Sequence, residues 1–362
     1  MYRCYVEFQN LRHLRSINGP VLVTGHTGFK GTWLTLILEK LGIEVAGFSL
    51  APESNNLFRK LDREGKILET FADLRDAQGI SKFIKSVKPA VVFHLAAQPL
   101  VLDSYINPSE TFEVNVMGTV NLFEACKNAP NLKAILTTTT DKVYSNLNLQ
   151  KKFKEEDPLF GKDPYSASKV AVENVISAYS NIFSQNSDLR ITSLRSGNVI
   201  GGGDISRDRL IPDLIRAFSS NEKAQVRNPH STRPWQHVLD PLFGYMLAAE
   251  ALLSGEDFKR INFGPTDNSL TVQEVAKISA RTWSNSAEFE VLQENSELEA
   301  KTLELDSTFA RKLLDWQPIW SQEESVISAI TWWRETFDKN LSFLEATEID
   351  LEFFLTTNPG AR

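Results

Sequence analysis

Two short groups of residues carry the densest chemical information in this chain. Thr140-Asp141-Lys142 sets a hydroxyl, a carboxyl and an amine side by side, and Tyr165 and Lys169 follow four positions apart. Four positions on a helix bring two side chains onto one face, so the phenol and the ammonium project into the same space. An ammonium beside a phenol favours the phenolate, which suits removal of a proton from a hydroxyl while its carbon gives up a hydride. Thr140 can hydrogen-bond the oxygen being oxidised. Asp141 and Lys142 add a proton donor and a candidate proton acceptor that a plain oxidation does not need. Oxidation coupled to an elimination needs all five. Asp141 fits the acid if burial raises its pKa, and Lys142 fits the base if its own is depressed. The competing reading makes Asp141 a turn or cap residue and Lys142 a solvated charge.

These groups need a scaffold, and the chain from Val21 onward supplies one. Short apolar runs alternate with amphipathic stretches, the pattern of βα units around a parallel sheet. Strands are predicted at Val21–Val23, Ile43–Phe48, Ile67–Phe71, Ala90–Leu95, Lys133–Thr138 and Arg190–Leu194, and helices at Thr32–Leu41, Asp76–Val87, Ser109–Lys127 and Ser166–Phe183. The expected fold is α/β, a Rossmann-like doubly wound parallel sheet with a smaller C-terminal α/β substrate-binding part. Thr140 then lies just past the fifth strand, at the carboxyl edge where such sheets bind ligands. Beyond Arg195 the alternation gives way to loops rich in Gly, Pro and Arg. The expected division is an N-terminal extension over 1–19, a dinucleotide-binding part over 20–195, a mainly substrate-binding part over 196–340 and a tail over 341–362. Trp235-Gln236-His237-Val238 fits neither part by pattern alone, and Ile261-Asn262-Phe263 is a candidate to return to the first sheet.

Gly25-His26-Thr27-Gly28-Phe29-Lys30-Gly31 follows the first strand and opens a helix. Three glycines so placed allow a tight turn, close approach to a pyrophosphate and tight helix packing, while the helix N-terminus stabilises the anion. The GxxGxxG spacing resembles the extended short-chain dehydrogenase/reductase superfamily. That resemblance implies a dinucleotide held by Gly25, Thr27, Gly28, Phe29, Lys30 and Gly31, with Asp73 and Leu74 at the adenine and Leu95, Ala96 and Ala97 along the dinucleotide. Tyr165 and Lys169 would also meet the cofactor. The second strand ends in Gly47-Phe48-Ser49-Leu50, with neither an acid for ribose hydroxyls nor an adjacent arginine for a 2'-phosphate, and this favours NAD over NADP.

Thr140-Asp141-Lys142 is similar to the motif of the nucleotide-sugar 4,6-dehydratases. In that chemistry, oxidation of a hexose at C4 acidifies the C5 proton. That proton leaves with the C6 hydroxyl, and return of the hydride to C6 completes a redox-neutral dehydration. Most such enzymes carry Asp-Glu where this chain carries Asp-Lys. Together with Ala96-Ala97-Gln98-Pro99-Leu100-Val101, Gly197-Asn198-Val199-Ile200-Gly201-Gly202-Gly203-Asp204 and Arg233-Pro234-Trp235-Gln236-His237, the departure resembles the branch acting on CDP-glucose. The resemblance runs from Val21 to Trp283 and more thinly to Phe337. It implies a nucleotide-sugar substrate met by Gln98, Asn198, Arg209, Arg227 and Arg233, whose guanidinium groups suit a diphosphate. It also implies a homodimer built on the Ser109–Lys127 and Ser166–Phe183 helices. The competing readings are a nucleotide-sugar 4-epimerase, a dehydratase of another nucleotide sugar, and an NAD-binding scaffold without activity.

Composition narrows the classes. The chain has 362 residues and a net charge of -7, which argues against a nucleic-acid backbone as the main partner. No apolar run approaches the length of a membrane span. Cys4 and Cys126 form neither a disulfide framework nor a metal spacing, so a reducing cytoplasm is expected. The first residues hold no continuous apolar stretch of a secretory signal. His26, His94, His230 and His237 are scattered, and His94 in an apolar strand reads as a satisfied core residue; no metal is expected.

Overall fold

The computed structural model describes residues 11–146, 151–186, 188–284, 286–292 and 302–357. Cys4 and positions 1–10 of the expected extension lie outside the described residues. All six predicted strands form, as β1 (Val21–Thr24), β2 (Val45–Ser49), β3 (Leu68–Phe71), β4 (Val91–His94), β5 (Ala134–Thr138) and, after the two-residue β6 (Lys152–Phe153), β7 (Arg190–Ser196). Short strands follow: β8 (Val199–Ile200), β9 (Ala224–Val226), β10 (Thr232–Arg233) and β11 (Gln236–His237), then β12 (Arg260–Phe263). Seven of them form one parallel sheet in the order β12-β7-β5-β4-β1-β2-β3. The winding reverses at β1 and β4, and a crevice opens beyond the carboxyl ends of those two strands.

The sheet is covered on both sides, as the apolar runs of β1 and β4 at its centre require. Val21 and Val23 face a core with Trp33, Ile37, Leu239 and Leu242. Leu22 faces the opposite core with Ile80, Phe123, Val172 and Ile176. A separate core gathers Ile211, Leu214, Trp235, Val275 and Val326.

The candidate return of Ile261-Asn262-Phe263 to the first sheet forms, as β12 beside β7, with Ile261 opposite Leu194, and the helix Leu239–Ser254 joins the same core. Three features differ from the sequence reading. Within the expected tail, Phe343–Thr357 is a helix whose Ala346, Leu351 and Phe354 are buried in the core that contains Val21. Within the expected extension, Leu11 and Leu14 are buried, and Glu250 accepts the backbone N–H groups of His13 at 2.9 Å and Leu14 at 2.8 Å. A carboxylate satisfies there the donors that a short helical turn leaves open. Last, the predicted helix Ser109–Lys127 is interrupted by a π turn over Glu113–Met117.

In Trp235–Val238, Gln236 and His237 pair in parallel with Val199 and Ile200, while Trp235 is buried in the core of Ile211 and Val275 and Val238 in that of Val21.

Candidate active site

The glycine turn forms a cradle that only glycine fits. Gly25 has φ +73°, and a Cβ there would stand 2.7 Å from the Ala96 nitrogen; a Cβ on Gly31 would stand 2.1 Å from the Gly25 carbonyl oxygen. The absent side chains leave the N-terminus of the twelve-residue helix Phe29–Lys40 open beside β1, a geometry that fits a dinucleotide pyrophosphate. Thr27 hydrogen-bonds the Ser49 hydroxyl at 2.8 Å and donates to the Leu50 carbonyl at 3.0 Å, so it fastens the end of β2. Asp73 pairs with Arg75 at 2.7 Å, and Leu74 is buried against Gly118. Leu95, Ala96 and Ala97 follow β4, half-buried. Gln98 turns inward: its amide donates to the Leu100 carbonyl at 3.1 Å and to Thr111 Oγ1 at 3.0 Å. Asn115, presented by the π turn, grips the Gln98 backbone N–H at 2.8 Å and carbonyl at 3.1 Å. The Gln98 side chain therefore shapes the loop.

Lys30 reaches further than a role in the turn implied. Its Nζ donates to Ser196 Oγ at 2.8 Å and to the Tyr245 hydroxyl at 3.2 Å. Burial pulls its pKa down to about 7, the Arg209 cation adds to the shift, and Asp141 opposes it. Lys30 thus shares the electrostatic environment of the reacting groups.

Asp141 is buried in a short turn after β5 that Thr140 caps. Its Oδ1 accepts from Thr140 Oγ1 at 3.0 Å, and its Oδ2 has no hydrogen-bond partner. Burial raises the carboxyl above the ordinary range, against the pull of Lys142, the Thr140 hydroxyl and Arg233. That is the condition for a proton donor. Lys142 is half-buried beside it.

Tyr165 and Lys169 are both buried near the start of the helix Pro164–Asn186. Here the structure corrects an expectation. Burial pushes the Tyr165 phenol up to about 12, opposed by a hydrogen bond with Thr140 and by the Arg209 charge. Desolvation outweighs the Arg209 cation. Lys169 Nζ donates to the Thr138 carbonyl at 3.1 Å. Burial lowers it to about 8, Lys30 adds to the shift, and Glu173 opposes it.

The arginines divide. Arg233 is buried, donates to the Thr232 carbonyl at 2.8 Å and acts electrostatically on Asp141. Arg209 contacts Asp204 at 3.2 Å and acts on Tyr165 and Lys30. Arg227 is exposed, with charge partners Asp208 at 3.5 Å and Asp213. The Asn198 carbonyl accepts the Gln236 N–H at 3.0 Å, where β8 and β11 meet.

Several residues that sequence reasoning passed over complete the site: Ser196, Tyr245, and the buried set Thr139, Glu173, Ser193 and Arg195. Glu173 was legible, four positions after Lys169 on the same helix face. Tyr245, 80 positions beyond Tyr165, left no such signal. His94 lies between the Thr24 hydroxyl at 2.7 Å and the Thr119 hydroxyl at 2.9 Å, a satisfied core histidine. Among the described residues no group of three or more His, Cys, Asp or Glu could hold a metal ion, and no helix is long and apolar enough to cross a membrane.

The chain is similar to proteins of known activity. The CDP-glucose 4,6-dehydratase of Salmonella typhimurium is 42% identical over 322 residues, covering 86% of this chain and 89% of that protein. The fold matches the NAD complex of Thermus thermophilus UDP-glucose 4-epimerase with a TM-score of 0.76 at 24% identity, over 87% of this chain and 99% of that one. It matches the NAD complex of Bacillus anthracis dTDP-glucose 4,6-dehydratase with a TM-score of 0.74 at 22% identity, over 89% and 98%. Residues 21–264 match the model of the NAD dependent epimerase/dehydratase family, and with the glycine cradle and the paired Tyr165 and Lys169 in place, the chain belongs to that family.

Proposed function

We propose that this chain catalyses the redox-neutral dehydration of CDP-glucose to CDP-4-keto-6-deoxyglucose, a step toward dideoxysugars of surface polysaccharides. The buried Asp141, held beside Lys142 in the turn after β5, carries the reading. Gly25, Thr27, Gly28, Phe29, Lys30 and Gly31, with Asp73, Leu74 and Leu95 to Ala97, would hold NAD. Bound there, NAD supplies the acceptor for the C4 hydride and the donor that returns it to C6.

The protein's own groups handle the protons. Tyr165, hydrogen-bonded to Thr140, is the group for the proton of the C4 hydroxyl, a role that requires its raised phenol to ionise in the loaded site, and Lys169 is the cation on the same helix face. Asp141, whose carboxyl is raised by burial, donates to the departing C6 hydroxyl. Lys142 takes the C5 proton. Asn198, Arg209, Arg227 and Arg233 are the residues that would meet the diphosphate of the nucleotide sugar. The exposed apolar side chains of Leu102, Tyr105, Ile106, Met117 and Ile182 support a homodimer through the neighbouring helices. A cytoplasmic location agrees with the buried free thiol of Cys126.

A 4-epimerase is the second reading, favoured by the fold matches. Epimerisation has no use for Asp141 and Lys142, and for that reason it ranks below dehydration. CDP-glucose deuterated at C4 tests the proposal: deuterium should appear at C6 of a 4-keto product with no net NADH. Label lost to solvent, or product without dehydration, overturns it. CDP-, dTDP-, UDP- and GDP-glucose assayed side by side decide the base.

A further inference from the structure

The turn that carries Asp141 and Lys142 is tied at both ends to one buried ion pair. Glu173 lies one helical turn beyond Lys169, and Arg195 lies on β7, next to β5 in the sheet. Arg195 Nη2 donates to Glu173 Oε2 at 2.8 Å and Nε donates to Oε1 at 2.9 Å, with the guanidinium fully buried. Burying two charges costs more than their attraction returns unless the remaining donors and acceptors are also satisfied. Here those remaining positions are spent on the turn. Glu173 Oε1 accepts the hydroxyl of Thr139 at 2.6 Å and that of Ser193 at 2.5 Å. Arg195 Nη1 donates to the Tyr144 hydroxyl at 2.8 Å and to the Glu155 carbonyl at 3.1 Å. The Tyr144 hydroxyl in turn donates to Asn262 Oδ1 at 2.7 Å, and its ring stacks on Phe153 with centroids 5.0 Å apart. Thr139 directly precedes the capping Thr140, and Tyr144 directly follows the turn Asp141–Val143.

We propose that Glu173 and Arg195 are positioning residues for the elimination: the pair fixes the 139–144 turn from both ends and so sets where Asp141 and Lys142 stand against C6 and C5. The inference rests on the dehydratase reading. A bidentate carboxylate–guanidinium contact fixes both partners in one plane, which a plain apolar filling of the same space does not do. Tyr165 and Lys169 depend on the pair less, because the long helix and its own core hold them. The Tyr144 end lies beyond Asp141 and Lys142, away from the Thr140 contact with Tyr165. Loosening that end separates the two halves of the reaction.

Tyr144→Phe removes one hydroxyl and keeps the ring. In a single turnover of the NAD-loaded enzyme with CDP-glucose, rapid quenching and mass spectrometry resolve three species. These are the substrate, the 4-ketohexose lighter by two hydrogens, and the dehydrated product lighter by one water. The expected result is unchanged formation of the ketohexose with water loss slowed by ~10- to 100-fold, so that the ketohexose accumulates. Equal slowing of both steps, or a time course like that of the parent, overturns the proposal. If circular dichroism shows Tyr144→Phe unfolded, Arg195→Lys keeps the charge but loses the planar fork, and the same accumulation is required of it. A parent chain that forms no dehydrated product overturns the dehydratase reading instead, so the two failures are distinct.

Discussion

Oδ2 of Asp141 lies 3.1 Å from the place a Cβ on Gly197 would occupy. The same Cβ would stand 2.2 Å from Pro234 Cγ. Gly197 lies between β7 and the segment after β10 that carries Pro234, and its missing side chain lets that segment and the carboxyl meet. Gly197→Ala must displace one or the other, because a proline ring is not a flexible tip. Turnover should fall by ~10- to 100-fold through misplacement of the reacting groups, and overpacking should cost about 1–3 kcal/mol of stability. Steady-state kinetics beside thermal melts check both; an unchanged kcat would show that the close approach is slack.

Asp141→Asn should uncouple oxidation from dehydration. The amide keeps the shape and the Thr140 contact but has no proton to donate at O6, so water loss should drop by ~100- to 10,000-fold, while the 4-ketohexose still forms. The pH profile adds a second check. Burial raises the Asp141 carboxyl, so the parent loses its proton donor as pH rises through that raised value, and the variant should lack this limb.

Lys30→Met should change the pH dependence of stability. Burial holds Lys30 at about 7, against 10.5 for a free lysine. The folded chain binds this proton less well than the unfolded chain, so the buried charge costs stability in full below the folded value. The cost fades as pH rises from the folded toward the unfolded value. The parent should therefore gain stability across that window. The variant should melt higher than the parent at about pH 6 and converge on it, or fall below it, by about pH 10, where the lost hydrogen bonds, about 1 kcal/mol each, remain. Melts across that range, without NAD, check the prediction; a constant difference would show that Lys30 does not titrate there. Lys169, lowered by burial to about 8, adds a contribution of the same sign in both proteins.

Phe354→Ala tests whether the C-terminal helix is part of the fold. The ring is fully buried, 5.5 Å from Phe243 and 6.3 Å from Trp320 between centroids. Its truncation should cost about 3–5 kcal/mol, read from the urea midpoint at an unchanged slope. A loss below about 1 kcal/mol would return the helix to the status of an appended tail.

Strands, the glycine turn and the Tyr165–Lys169 spacing were legible in the sequence because each rests on a local rule: apolar runs that must be buried, glycines at a turn, four residues per helical face. The raised Asp141 carboxyl was legible as a condition, and burial in the folded chain met it. Tyr165 went the other way. Proximity in sequence to Lys169 implied a lowered phenol, whereas the desolvation that raises it comes from surrounding elements that no local pattern reveals. Phe343–Thr357 buries Ala346, Leu351 and Phe354, yet the partner surface, which includes Trp320 and Phe243, is assembled only in three dimensions.

By itself the sequence determined the six predicted strands, the cradle and the five candidate side chains, since these follow from periodicity and residue type along the chain. Only the tertiary structure decided that β12 closes the sheet beside β7, that Lys30 reaches Ser196 and Tyr245, and that Glu173 and Arg195 tie down the turn bearing Asp141. Those relationships join residues between 22 and 215 positions apart. Their energies come from burial, which depends on which surfaces meet.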